Sequence, residues 1–173
     1  MIAAVVLAAA LLQTGSPQLI DQNGHAFTLA SLRGRPVAIT FVSAHCTDAC
    51  PLIDAQFAQA AQTLAQRKID ATLVTITLDP EHDSPADMRR IAHTFSADAR
   101  RWRVAGGAVR DVRSIMSRFG VIASTGQDGY REAHTTFVYV LDANGRLAKT
   151  MLASTGLADD VVDAVTSAKV AAR

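Results

Sequence analysis

Short apolar runs alternate with amphipathic stripes along this chain, and the two periods divide it into strands and helices. Val37-Ala38-Ile39-Thr40-Phe41-Val42 and Ala71 to Leu78 are continuous β-rich runs, as strands covered on both faces require. Ile53, Phe57, Ala60, Ala61 and Leu64 recur at helical spacing, with glutamines between them facing water. Ser84-Pro85-Ala86-Asp87 reads as a helix start: Ser84 caps, proline occupies the first turn, and an acid follows at the third position. That helix carries Met88, Ile91 and Phe95. A short strand is expected around Trp102–Val104. Val109, Val112, Ile115, Met116 and Phe119 then form another helical stripe, stopped by Gly120. Nearer the N-terminus, Leu19 to Leu29 reads as a hairpin around Asn23-Gly24, and Ser31 to Pro36 as a loop. Thr135–Leu141 and Leu147–Leu152 read as strands joined by the turn Asp142-Ala143-Asn144-Gly145, and Leu157–Ala171 as a closing amphipathic helix.

This order predicts an α/β fold with an N-terminal β-hairpin and a central sheet flanked by helices. A strand running into a cysteine pair at a helix N-terminus, with a late hairpin and a final helix, is the thioredoxin-like arrangement. In such open sheets the working site lies beyond the carboxyl ends of the strands.

Composition narrows the function. The balance of 17 basic and 16 acidic residues in 173 gives a net charge of +1, which supplies no footprint for nucleic acid and no polybasic membrane patch. Ile2 to Leu12 is apolar and uncharged but too short to span a bilayer, which takes roughly 20 residues; it reads as the core of an export signal. Residues 1–17 are therefore expected to be an export segment and 18–173 the domain. The expected location is the periplasm or cell envelope, an oxidising compartment, without a membrane anchor.

The candidate chemistry centres on the only two cysteines, Cys46 and Cys50, in His45-Cys46-Thr47-Asp48-Ala49-Cys50-Pro51. A helix beginning near Cys46 would put both sulfurs on one face, one turn apart, and its N-terminus favours thiolate over thiol. Such a pair can bridge a soft cation or close into a disulfide. Of the five histidines, His25 reads as an exposed turn residue and His93 as solvated helix surface. His82 reads as a polar residue of the Asp79-to-Pro85 loop, within approach of the site, and His45 as a tuning neighbour rather than a ligand. His134 differs, because it stands just before the late strand, at the loop that faces the cysteine helix in thioredoxin-like folds. Disulfide enzymes of that fold normally carry a cis-proline in this loop, yet all five prolines occur by Pro85. Two thiolates and an imidazole suit Cu(I), or Cu(II) with one further ligand, whereas structural zinc would require a fourth donor.

Several runs together resemble the Sco/SenC family of copper-binding, thioredoxin-like proteins that help assemble cytochrome c oxidase. They are Asp21-Gln22-Asn23-Gly24 with Phe27-Thr28-Leu29, Gly34-Arg35-Pro36-Val37, the cysteine run, Leu78 to Pro85, and His134 ahead of Leu141-Asp142-Ala143-Asn144-Gly145. The resemblance implies copper ligands at Cys46, Cys50 and His134, with Asp79, His45 and Glu132 as supporting residues. Thr47 stands where the family usually has proline, and Ala133 replaces an acid that commonly precedes the histidine. The implied role is a copper chaperone serving the copper subunit of cytochrome c oxidase, supplied by a periplasmic copper donor and kept active by a thiol reductant. The alternative is a thiol–disulfide oxidoreductase that uses Cys46 and Cys50 to reduce the cysteines of that subunit. A peroxidase is disfavoured, because no Thr-x-x-Cys element with a nearby arginine surrounds Cys46.

Overall fold

The computed structural model describes residues 15–47, 49–126, 128–132 and 136–171. Strands β1 (Leu19–Asp21), β2 (Ala26–Phe27), β3 (Val37–Val42), β4 (Thr72–Thr77) and β5 (Trp102–Gly106) interleave with helices α1 (Ala49–Gln66), α2 (Pro85–Thr94) and α3 (Val109–Phe119). A small hairpin, β6 (Ser124–Thr125) and β7 (Arg131–Glu132), then precedes β8 (Phe137–Leu141), β9 (Leu147–Leu152) and α4 (Leu157–Ala171). The sheet runs β2-β1-β5-β4-β3-β8-β9. Its three central strands β3, β4 and β5 are parallel, and β1, β2, β8 and β9 flank them in antiparallel pairs.

Every residue of β3 and β4 is buried, which explains why their runs are continuous rather than alternating. On one face Ala38, Val42 and Leu73 pack with Ile53, Phe57 and Leu64 of α1, Met88 and Ile91 of α2, and Val161 and Val165 of α4. On the other, Val37, Ile39, Phe41 and Ile76 meet Val112, Ile115 and Met116 of α3. Helices thus cover both faces, as the element order predicts.

Local chemistry matches the reading at several ends. Ser84 caps α2 through the Asp87 N–H, and the Asp87 side chain returns to the Ser84 N–H, so two orphan donors are satisfied reciprocally. Gly120 ends α3 with φ +67°, a conformation that carries no penalty without a Cβ. The N-terminal segment departs from expectation. Its hairpin is shorter than Leu19–Leu29, and a capped 3-10 turn over Leu29–Leu32 takes the end of the expected hairpin and the first two residues of the expected loop. The hairpin β6–β7 was not predicted, because two-residue strands leave no periodicity to read.

Two parts of the topology define the functional end. The carboxyl ends of β3 and β4 lead into the cysteine run and into Asp79. Strand β8 runs antiparallel to β3 with Thr40 opposite Val138, so its beginning lies beside the end of β3.

Candidate functional site

The cysteine run leaves β3 as a loop rather than entering a helix at once. Cys46 N–H donates to Ser43 O at 3.2 Å. The buried carboxylate of Asp83 takes the Ala44 N–H, at 3.1 Å to Oδ2. Residues 44 and 46 thus spend their N–H groups on the loop, and α1 begins only at Ala49, with Pro51 in its first turn, where no N–H is needed. This corrects the expectation of a helix starting near Cys46. The sulfurs are nonetheless brought together: the Cys50 N–H donates to Cys46 Sγ at 3.4 Å, so the sulfur accepts from an otherwise orphaned helix donor. Both thiols are free, Cys46 half-buried and Cys50 buried.

Burial also corrects the expected thiolate preference at Cys50. Loss of water pushes its thiol well above the ordinary cysteine range, and the interactions with Cys46 push the same way. Asp54, one turn further along α1, is buried too. Desolvation raises its carboxyl to about 7, only partly countered by a hydrogen bond from Thr75.

The Asp79-to-Pro85 loop supplies most of what the sequence reading missed. Asp79 is fully buried and faces His82 Nδ1 with both oxygens at 2.9 Å. The same carboxylate accepts the backbone N–H of Arg131 in β7 at 2.9 Å, joining the end of β4 to the small hairpin. His82 is therefore engaged rather than loose polar surface. Asp83, absent from the expected site, faces His45 Nδ1 at 3.1 Å and accepts from Thr77 Oγ1. Desolvation holds its carboxyl above the usual range, although its hydrogen bonds favour the charged form. The His45 ring stacks on Tyr130, with centroids 3.8 Å apart and planes at 7°. The His82 ring meets Tyr130 edge-on at 5.3 Å. Glu81 pairs with Arg113 and, at 3.4 Å, with Arg131.

The remaining predicted residues sort as follows. His25 is an exposed turn side chain 3.8 Å from Asp21, and His93 is exposed on the last turn of α2. Glu132 pairs with Ser124 in the hairpin. His134 lies outside the described residues, between Glu132 and Thr136. Among the described residues, no three His, Cys, Asp or Glu side chains form a metal-binding group. The two sulfurs are a soft donor pair whose chemistry fits copper. No helix among the described residues is long and apolar enough to cross a membrane.

Similarity to known proteins follows the same lines. Residues 9–169 match the family described as SCO1/SenC. An SCO2-like protein of Rickettsia prowazekii is 30% identical over 144 residues, spanning 80% of this chain and 69% of that protein. Bradyrhizobium japonicum ScoI, solved with copper bound, superposes with a TM-score of 0.74 at 28% identity, over 90% of this chain and 97% of that one. BsSco is described as a member of the Sco family of cytochrome c oxidase assembly proteins with a disulfide switch. It shares the fold, with a TM-score of 0.74 at 22% identity over 88% of this chain and 91% of that one. With a match that extends over most of its length, this chain belongs to the SCO1/SenC family.

Proposed function

We propose that this protein carries copper on Cys46, Cys50 and His134 and passes it to the copper subunit of cytochrome c oxidase during assembly. The observation that carries the reading is the pair of free cysteines, with Cys46 Sγ accepting from the Cys50 N–H, in a SCO1/SenC chain. Copper held by a similar ScoI structure supports the choice of metal. The third donor is supported by its flanks: Arg131 is tied to Asp79 beyond β4, and β8 starts beside the end of β3. Copper is cargo here, exchanged between the donors of two docked proteins without covalent turnover. Asp79, His45 and Glu132 support the set, Asp79 by anchoring the hairpin that leads to His134. A copper donor loads the protein, and a thiol reductant keeps Cys46 and Cys50 reduced. Residues 1–17 direct export and 18–173 carry the function, in the periplasm or cell envelope.

Anaerobic titration of the reduced full chain with Cu(I) and Cu(II) tests this reading. One copper per chain is expected, lost on Cys46→Ser or Cys50→Ser. His134→Ala is expected to lose the Cu(II) spectrum while thermal stability stays unchanged. An unaltered Cu(II) spectrum in His134→Ala would refute the ligand set.

The asymmetry between half-buried Cys46 and buried Cys50 also fits a thiol–disulfide reductase. Cys46 thiolate would attack a partner disulfide and release one partner thiol; Cys50 would then break the mixed disulfide, releasing the second and leaving Cys46–Cys50 oxidised. The thiol reductant resets the pair. Reduction of a disulfide substrate undiminished in His134→Ala, with no copper bound by the wild type, would favour this second reading.

A further inference from the structure

Among the described residues the hairpin β6–β7 has two ladder pairs, Ser124 with Glu132 and Thr125 with Arg131, too few to be stable alone. Its fastening to the domain is therefore made by the side chains and backbone that leave it. One fastening is the Arg131 N–H on buried Asp79; a second is Arg131 on Glu81. The third is Tyr130. Its ring lies flat on His45 at 3.8 Å and meets the edge of His82 at 5.3 Å. Neither imidazole is free to swing, because His45 Nδ1 is held by Asp83 and His82 Nδ1 by Asp79, both with buried side chains. Asp83 also holds the Ala44 N–H two residues ahead of Cys46. A single ring from the hairpin thus rests on the loop that presents Cys46 and on the loop that follows β4.

We propose that Tyr130 is a positioning residue for copper: clasped by two carboxylate-anchored imidazoles, it registers the β6–β7 hairpin against the cysteine loop. This rests on the reading of a copper set completed by an imidazole, since His134 follows the hairpin in sequence. The consequence is selective for oxidation state. Two thiolates alone satisfy soft Cu(I), whereas Cu(II) prefers nitrogen and oxygen donors in a tetragonal set and depends on the imidazole. A hairpin out of register should weaken Cu(II) and spare Cu(I). Residues that orient ligands without touching the metal typically change affinity by about 10- to 100-fold.

The test uses the reduced full chain as wild type, Tyr130→Phe, Tyr130→Leu and Tyr130→Ala, with Cu(I) and Cu(II) as separate probes. Tyr130→Ala is expected to bind Cu(II) at least roughly 10-fold more weakly, with a changed sulfur-to-copper absorption band, while Cu(I) affinity stays within about two-fold. Tyr130→Phe keeps the stacking ring and should behave as wild type. Tyr130→Leu keeps bulk without a ring and should follow Tyr130→Ala, so a poorly folded alanine variant leaves the test intact. Unchanged Cu(II) binding in Tyr130→Leu, or a parallel fall in Cu(I) and Cu(II) with lost thermal stability, would overturn the proposal. Equal Cu(II) binding by wild type and His134→Ala would instead overturn the ligand set beneath it.

Discussion

Replacing Asp54 with Asn should make the reduced, metal-free protein more stable, by an amount that grows with pH. Asp54 is 2% exposed, and its carboxylate accepts from Thr75 Oγ1 at 3.3 Å, itself an acceptor for Trp102 Nε1–H at 3.0 Å. Burial raises its carboxyl from 3.8 to about 7. At about 1.36 kcal/mol per unit, ionised Asp54 destabilises the fold by about 4 kcal/mol at pH 8. The sign follows from proton counts. Between the two values the folded state holds the proton that the unfolded state has released, so stability falls as pH rises from about 4 to about 7. Above about 7 both states are ionised and the penalty is complete. Asn keeps the shape and the acceptor for Thr75 but cannot ionise. Urea unfolding of both proteins at pH 5, 6, 7 and 8 cancels the groups they share. The advantage of Asp54→Asn should grow by roughly 1 kcal/mol per pH unit from 5 to 7 and then level off. A difference constant to within about 0.5 kcal/mol across this range would refute the desolvation argument.

Other expectations follow from the same structure. Phe57 is fully buried, its ring centroid 6.1 Å from that of Trp102, so Phe57→Ala should lower unfolding free energy by about 3–5 kcal/mol in denaturant titration. Ser84→Ala removes the cap of α2 and should cost about 1 kcal/mol. Hydrogen bonds from Ser84, joined by Arg90, hold the Asp87 carboxyl at about 2. Its stabilising effect is therefore present above about 4 and lost as pH falls toward 2, and an NMR titration should find Asp87 moved upward in Ser84→Ala. Copper affinity should fall between pH 7.5 and 5.5, because thiols and imidazole must shed protons to bind; competition with a chelator of known pH behaviour measures this.

The elements were largely legible because their causes are local. Continuous apolar runs marked β3 and β4, three- and four-residue spacing marked α1 and α3, and Ser84 and Gly120 carried their own boundary chemistry. The cysteine pair was legible for the same reason, being four residues apart at the end of a strand. The hairpin β6–β7 was not, since its position depends on Asp79 and Tyr130 rather than on periodicity. Asp83 was also missed. A signal existed in the dense polar run Asp79-Pro80-Glu81-His82-Asp83-Ser84, but nothing in it said which carboxylates would turn inward.

Residue order alone therefore settles the α/β frame, the family and the presence of two adjacent thiols, because each depends on neighbours within a turn or a strand. Folding decides the rest. Cys50 and Asp54 are driven upward in pKa only because α1 lies against the sheet and water is removed from both. His45 is aimed only because a loop 38 residues away delivers the Asp83 carboxylate to its Nδ1 atom. Dielectric environment and long-range contact are properties of the packed molecule, and a linear chain does not carry them.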